Sequence, residues 1–197
     1  EDLKNKIIRT VGNPYQRFSE DALRIIRAIR FSSSLGFEIN KDTSNAIHEL
    51  CDNVLQVHPQ RIRDELSKIL LSMNVSVVFS EYKDVLCKLI PEINDIVDFK
   101  QNTPHHRYDV FTHTLKALSV SPEDLKIRMS LLLHDIAKPK CHKMDSSNID
   151  HFKGHPAESA NIAGEILSRF SYPSSFINSV TDLIRFHDCR FKNISPD

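Results

Sequence analysis

His134 and Asp135 are adjacent in Leu133-His134-Asp135-Ile136-Ala137, at the end of an apolar run. Together they offer an imidazole nitrogen and a carboxylate oxygen, donors that suit borderline divalent metals such as Mn, Co, Ni, Fe or Zn. Three more histidines could join them: His113, 21 positions earlier, His155 in Gly154-His155-Pro156, and His187 in Phe186-His187-Asp188. A metal held by such a set lowers the pKa of bound water and orients phosphate oxygens for hydrolysis. The plainer alternative is that each histidine is packed on, or exposed from, an amphipathic helix, and His48, His58 and His142 are read that way. Charge alone makes Lys138, Lys153 and Arg128 candidates for a phosphate.

A second group lies near the N-terminus, in Glu20-Asp21-Ala22-Leu23-Arg24 followed by Arg27 and Arg30. Helical spacing puts Asp21, Arg24 and Arg27 opposite the stripe of Ala22, Ile25, Ile26 and Ile29. Such a face is commonly a solvated lattice of ion pairs. It can also present one acceptor and a fork of donors to the edge of a nucleobase.

Either chemistry needs elements that bring distant residues together, and the patterning is helical nearly throughout, with only four glycines. One helix is expected over Ser19–Leu35, with Ser19 as N-cap and Gly36 as C-cap. Others follow over Asp42–Val54, from Pro59 with Ile62, Leu66, Ile69 and Leu70 inward, and over Val75–Ile90. The run Asp98-Phe-Lys-Gln-Asn-Thr-Pro104 breaks the period and predicts a domain boundary. Helices resume over Tyr108–Leu118 and over Pro122–Ala137, the latter stopped by Pro139. Lys140–Gly154 reads as a loop or short hairpin, and Pro156–Arg169 and Pro173–His187 as two more helices. The expectation is an all-α chain in two helical bundles.

Composition limits the function without choosing it. With 26 basic and 26 acidic residues, a nucleic-acid surface would have to be a local patch. Cys51, Cys87, Cys141 and Cys189 form no CxxC pair, which suits reduced thiols in a cytoplasmic protein. No apolar run approaches the ~20 residues that span a bilayer, so no membrane partner is expected. The chain starts on Glu1, in mid-pattern, and is expected to be a piece of a longer polypeptide.

Long ordered runs add a resemblance. Ile8-Arg9-Thr10-Val11-Gly12-Asn13-Pro14, Arg17-Phe18-Ser19-Glu20-Asp21-Ala22-Leu23-Arg24, Arg27-Ala28-Ile29-Arg30-Phe31 and Leu35-Gly36-Phe37-Glu38-Ile39 resemble the head–neck junction of class II tRNA nucleotidyltransferases. That family comprises the CCA-adding enzymes and their poly(A) polymerase relatives. Arg61-Ile62-Arg63-Asp64-Glu65-Leu66 resembles the motif that braces the neck. The resemblance implies that Asp21 and Arg24 select the incoming CTP or ATP, with Arg17 and Arg27 in the same nucleotide-binding motif, and that the partner is the 3′ end of tRNA or another RNA. The family's Mg-binding carboxylates lie on a head strand that this chain lacks, so no catalytic residue for transfer is expected here. Whether the parent adds CCA, CC, A or poly(A) is left open.

Tyr108–Thr114, Leu133–Pro139 and His151–His155, with His187 after them, resemble the HD domain appended to bacterial CCA-adding enzymes and, more widely, the HD phosphohydrolases. This implies a metal site from His113, His134, Asp135, His155 and His187. The superfamily usually adds an Asp on a later helix, so the domain is expected to be shortened at its end, with Asp188 as a stand-in. The expected division is a neck at 1–98 and an HD domain at 99–197. Two competing readings are a stand-alone HD phosphohydrolase acting on nucleotide or RNA-end phosphates, and an RNA-binding module with structural histidines.

Overall fold

The computed structural model describes residues 1–102 and 107–189, and the chain is α-helical apart from two minimal sheets. β1 (Ile7–Ile8) pairs in parallel with β2 (Glu38–Ile39), in the register Ile7 to Glu38 and Ile8 to Ile39. α1 (Pro14–Glu20) begins on a proline, and Asn13 Oδ1 accepts from the Gln16 amide. α2 (Leu23–Leu35) buries Leu23, Ile25, Ile26, Ala28 and Ile29 and ends where Gly36, at φ 66°, donates its N–H to Ser32 O.

The single helix expected from Ser19 is therefore two. Asp21 is extended (φ −151°, ψ 102°), and its Oδ1 accepts from the Leu23 amide. Ser19 is no cap; its hydroxyl donates to Tyr15 O within α1. Local capping by a short acidic side chain has won over helical periodicity.

α3 (Lys41–Glu49), capped by Asn40, stops short of the expected Val54, and a 3-10 turn covers Cys51–Gln56. α4 (Pro59–Leu70) starts on its proline as expected, with His58 Nδ1 accepting from Gln60 N. The expected Val75–Ile90 helix divides into α5 (Val75–Glu81) and α6 (Lys83–Leu89) around the buried Tyr82, and a 3-10 turn follows at Pro91–Ile96.

The second group begins with α7 (Val110–Val120), capped by Asp109. α8 (Leu125–Leu133), capped by Asp124, ends before the His-Asp pair, and Pro139 lies in the first turn of α9 (Lys138–Cys141) rather than stopping a longer helix. β3 (Lys143–Met144) and β4 (Asp150–His151) make the short antiparallel hairpin allowed for in 140–154. α10 (His155–Arg169) and α11 (Ser174–Phe186) close the described chain.

The two groups do not have separate interiors. Buried residues from α2, α4, α5 and α6 join those of α7, α8, α10 and α11 in one contiguous cluster. The Arg128 guanidinium, 4% exposed, donates to Leu70 O and Ser72 O at 2.7 Å each, crossing between the groups. Tyr172 and Ser67 share a hydrogen bond of 2.7 Å, and Arg169 forks onto Glu92. Apolar faces of both groups point at each other, and one core buries them together. Of the expected boundary at 98–104, Thr103 and Pro104 lie outside the described residues, as do the chain-end residues 190–197. No helix among the described residues is long and apolar enough to cross a membrane.

Candidate functional site

The five histidine and aspartate candidates line one cavity of about 660 Å³. Helix ends deliver most of them. His113 comes from the first turn of α7, and His134-Asp135 occupies the turn where α8 stops. His155 is the first residue of α10, and His187 the residue after α11. At a helix end the side chain is free of neighbouring turns, so four helices can aim different residues at one point.

Three imidazoles are held alike. Nδ1–H of His134 donates to Leu131 O at 2.8 Å, that of His155 to Phe152 O at 2.8 Å, and that of His187 to Ile184 O at 2.6 Å. A carbonyl can only accept, so each Nδ1 carries a proton and each ring turns Nε2 inward, as a lone pair wherever the ring is neutral. Those lone pairs face the Asp135 carboxylate. His134 Nε2 lies 3.1 Å from Oδ2, His155 Nε2 3.2 Å from Oδ1 and His187 Nε2 3.7 Å from Oδ1.

Asp135 is 2% exposed, and its Oδ1 is buried without a hydrogen bond; the nearby imidazoles are close but not aligned as donors. Inward lone pairs around an orphaned anionic oxygen repel unless a cation lies among them. Burial opposes ionisation of Asp135, but the imidazoles of His134 and His155, when they carry a second proton on Nε2, and the charge of Lys138 outweigh it and hold the carboxyl well below its usual range. His187 is shifted down, by burial first and by its histidine neighbours next. Donor atoms of His113, His134 and Asp135 lie within 4.8 Å of one another, as do those of Asp135, His155 and His187. The donor set fits a divalent ion.

Lys138, 4% exposed, donates to Asp135 Oδ2 at 2.8 Å and to Gln101 Oε1 at 2.7 Å. Lys153, Arg185 and Asp188 line the cavity mouth. The phosphate role considered for Arg128 is corrected: its side chain is spent on four backbone carbonyls away from the cavity. His48 and His142 are structural, bonded to Asp84 and Asp150 at 2.8 Å each. Sequence reasoning missed Gln101, which no local pattern marks, and Arg185, two positions before His187.

The arginine candidates form a second cleft, of about 350 Å³. Arg17, Arg24 and Arg27 line it with Arg9, Phe18 and Phe31. Asp21 is not among the lining residues. It lies at the α1–α2 break, a third exposed, where Oδ2 accepts from Arg61 Nη2 at 3.3 Å. Arg24 Nη1 donates to Glu20 Oε2 at 2.7 Å and to Arg17 O at 2.9 Å. Arg30 pairs with Glu65, so α4 makes one ion pair to α2 and one to the break at Asp21.

Residues 36–96 match the family model described as the probable RNA and SrmB-binding site of polymerase A. The CCA-adding enzyme of Ligilactobacillus salivarius is 35% identical over 166 residues, covering 76% of this chain and 41% of that protein. The A-adding tRNA nucleotidyltransferase of Deinococcus radiodurans is 29% identical over 200 residues, covering 95% and 45%. The Bacillus stearothermophilus CCA-adding enzyme, solved with CTP, superposes at a TM-score of 0.58 over 95% of this chain and 40% of that one; at 18% identity it shows the shared fold. The chain thus spans less than half the length of these relatives. Over the part it does span, the chain is related to the class II tRNA nucleotidyltransferases.

Proposed function

We propose that the chain serves a nucleotidyltransferase that adds CCA or A to RNA 3′ ends, with residues 1–98 reading the incoming CTP or ATP and contacting tRNA. The supporting observation is the convergence of Arg17, Arg24 and Arg27 on one cleft beside the Asp21 break. Guanidinium forks there can meet base edges and phosphates, while Arg61 keeps the Asp21 carboxylate turned to the break. Because the chain spans under half of its relatives, we assign phosphoryl transfer and its Mg ions to the remainder of the enzyme. Free thiols at all four cysteines suit a cytoplasmic setting. In the intact polypeptide, Arg24→Ala should lower CTP and ATP incorporation into tRNA lacking CCA by at least ~100-fold, about 2.7 kcal/mol. Its melting should barely move, because the ion pair it breaks is exposed. Normal incorporation in a destabilised variant would reject the assignment.

A second reading rests on the orphaned Asp135 oxygen: residues 99–197 act as an HD-type centre holding a divalent ion such as Mn, Co, Ni, Fe or Zn. His113, His134, Asp135, His155 and His187 are its donors. A bound ion would supply an acidified water and a Lewis acid for hydrolysis of a phosphate ester. Lys153 and Arg185 at the mouth are placed to receive the ester's charge.

A further inference from the structure

α4 carries two rows of polar side chains, one on either side of its buried stripe. Arg61 and Glu65 form the first row, and they hold Asp21 at the α1–α2 break and Arg30 of α2. Arg63 and Ser67 form the second. They lie about 200° round the helix from Arg61 and Glu65, with the buried Ile62, Leu66 and Ile69 between. This second row meets the corner between α10 and α11. Arg63 Nη1 donates to Ser171 O at 2.8 Å, its other nitrogens resting on Asp64, and the Ser67 and Tyr172 hydroxyls share a bond of 2.7 Å. The corner itself is stiff. Ser171 sits at φ 58°, its amide donates to Ser168 O, and the Tyr172 amide donates to Leu167 O, closing the end of α10. The buried Tyr172 ring stacks on Phe176 of α11 at 4.8 Å.

Resting on the nucleotide reading of the arginine cleft, we infer that Arg63 and Tyr172 are positioning residues for nucleotide selection. Through them the α10–α11 corner sets where α4 holds Asp21. The Asp21–Arg61 pair cannot set its own geometry. It spans 3.3 Å between side chains that are 33% and 54% exposed, an ion pair that water and salt weaken. Arg61 also lies in the first turn of α4, where a helix is least held by its own hydrogen bonds. Arg63, two residues on, ties the start of that helix to a backbone carbonyl fixed by the closed end of α10. Ser67, one turn further, repeats the tie through a buried ring. The corner is at the far end of α10 from His155, roughly 20 Å along a helix of 15 residues. It therefore acts on the nucleotide side and stands apart from the histidine cavity.

The test is steady-state addition to tRNA lacking CCA by the intact polypeptide, with CTP and ATP varied and UTP offered as a wrong substrate. Arg63→Met should raise KM for CTP and for ATP at least ~5-fold, hold kcat within ~2-fold, and raise the proportion of UTP incorporated. Arg63→Lys, whose ammonium can still reach the Ser171 carbonyl, should recover most of the loss. Tyr172→Phe, which removes one hydroxyl, should raise KM in the same direction by ~2-fold, and it decides alone if Arg63→Met does not fold. A purely structural role would lower Tm and leave KM and the choice of nucleotide as they were, and that result overturns the inference. If Arg24→Ala impairs addition while Arg63→Met and Tyr172→Phe keep the unaltered KM, the corner has no such role and the cleft reading stands. Normal addition by Arg24→Ala would remove both.

Discussion

A buried polar side chain behaves according to what it is bonded to, and the histidines of this chain divide on that basis. His134, His155 and His187 spend Nδ1 on a carbonyl and keep Nε2 for the cavity. His48 and His142 meet carboxylates instead and lie against aromatic rings, His48 on Tyr82 and His142 near Phe99 and Phe152. Two tyrosines are fixed as firmly. Burial pushes both the Tyr82 and the Tyr172 hydroxyl from 10.0 up to about 12, although bonds to Ser44 and Ser67 work the other way. An unfolded tyrosine ionises near pH 10 while the folded one keeps its proton, so the unfolded chain binds fewer protons above pH 10. The contribution of these two tyrosines to stability should therefore be flat below pH 10 and fall as pH rises towards 12. Melting curves at pH 9, 10.5 and 11.5 would show it, and Tyr172→Phe should shallow the decline.

Element ends carry more of this structure than element middles. The α1–α2 break, the stop of α8 at Leu133 and the start of α10 at His155 each release a side chain that a continuous helix would hold to its own surface. Gly36 shows how strict such an end is. At φ 66° it sits in the left-handed region, and a Cβ there would meet Asn74 Nδ2 at 3.4 Å. Gly36→Ala should cost about 1–2 kcal/mol from backbone strain. For a chain of this size that lowers Tm by several degrees, ~2–4 °C per kcal/mol. An unchanged Tm would mean that the turn relaxes, and that α2 and β2 are not rigidly joined.

At the scale of the whole molecule, the helices before and after residues 98–99 bury their apolar faces in one shared core. Arg128 ties the two. Its guanidinium satisfies the carbonyl of Leu70 at the end of α4, where the helix dipole is negative, that of Ser72 just beyond it, and the loop that leads into α8. Arg128→Met should leave buried carbonyls without donors and cost on the order of 3 kcal/mol. Urea unfolding followed by circular dichroism and by tyrosine fluorescence should shift as one cooperative transition. If the probes separate and only one moves, the two groups are independent bundles after all.

Sequence alone determined the class and most of the parts. Helical periodicity, the proline at the start of α4, the glycine after α2 and the turn-rich run at 140–154 are local signals, each set by the chemistry of a few neighbouring residues. The site candidates were legible too, because an adjacent His-Asp pair with further histidines in order offers a metal-ligand set, and long ordered motifs carry a family likeness. Periodicity could not foresee the breaks at Asp21 and Tyr82, where a side-chain cap and a buried ring compete with the helix. Tertiary structure alone decided that both helical groups share one core, and that Asp21 turns to Arg61 and not into the arginine cleft. It also decided that Lys138 donates both to Asp135 Oδ2 and to Gln101, 37 positions away. A buried charge is settled by whichever partner the fold brings within 3 Å, and the spacing of residues along a chain says nothing of who that partner is.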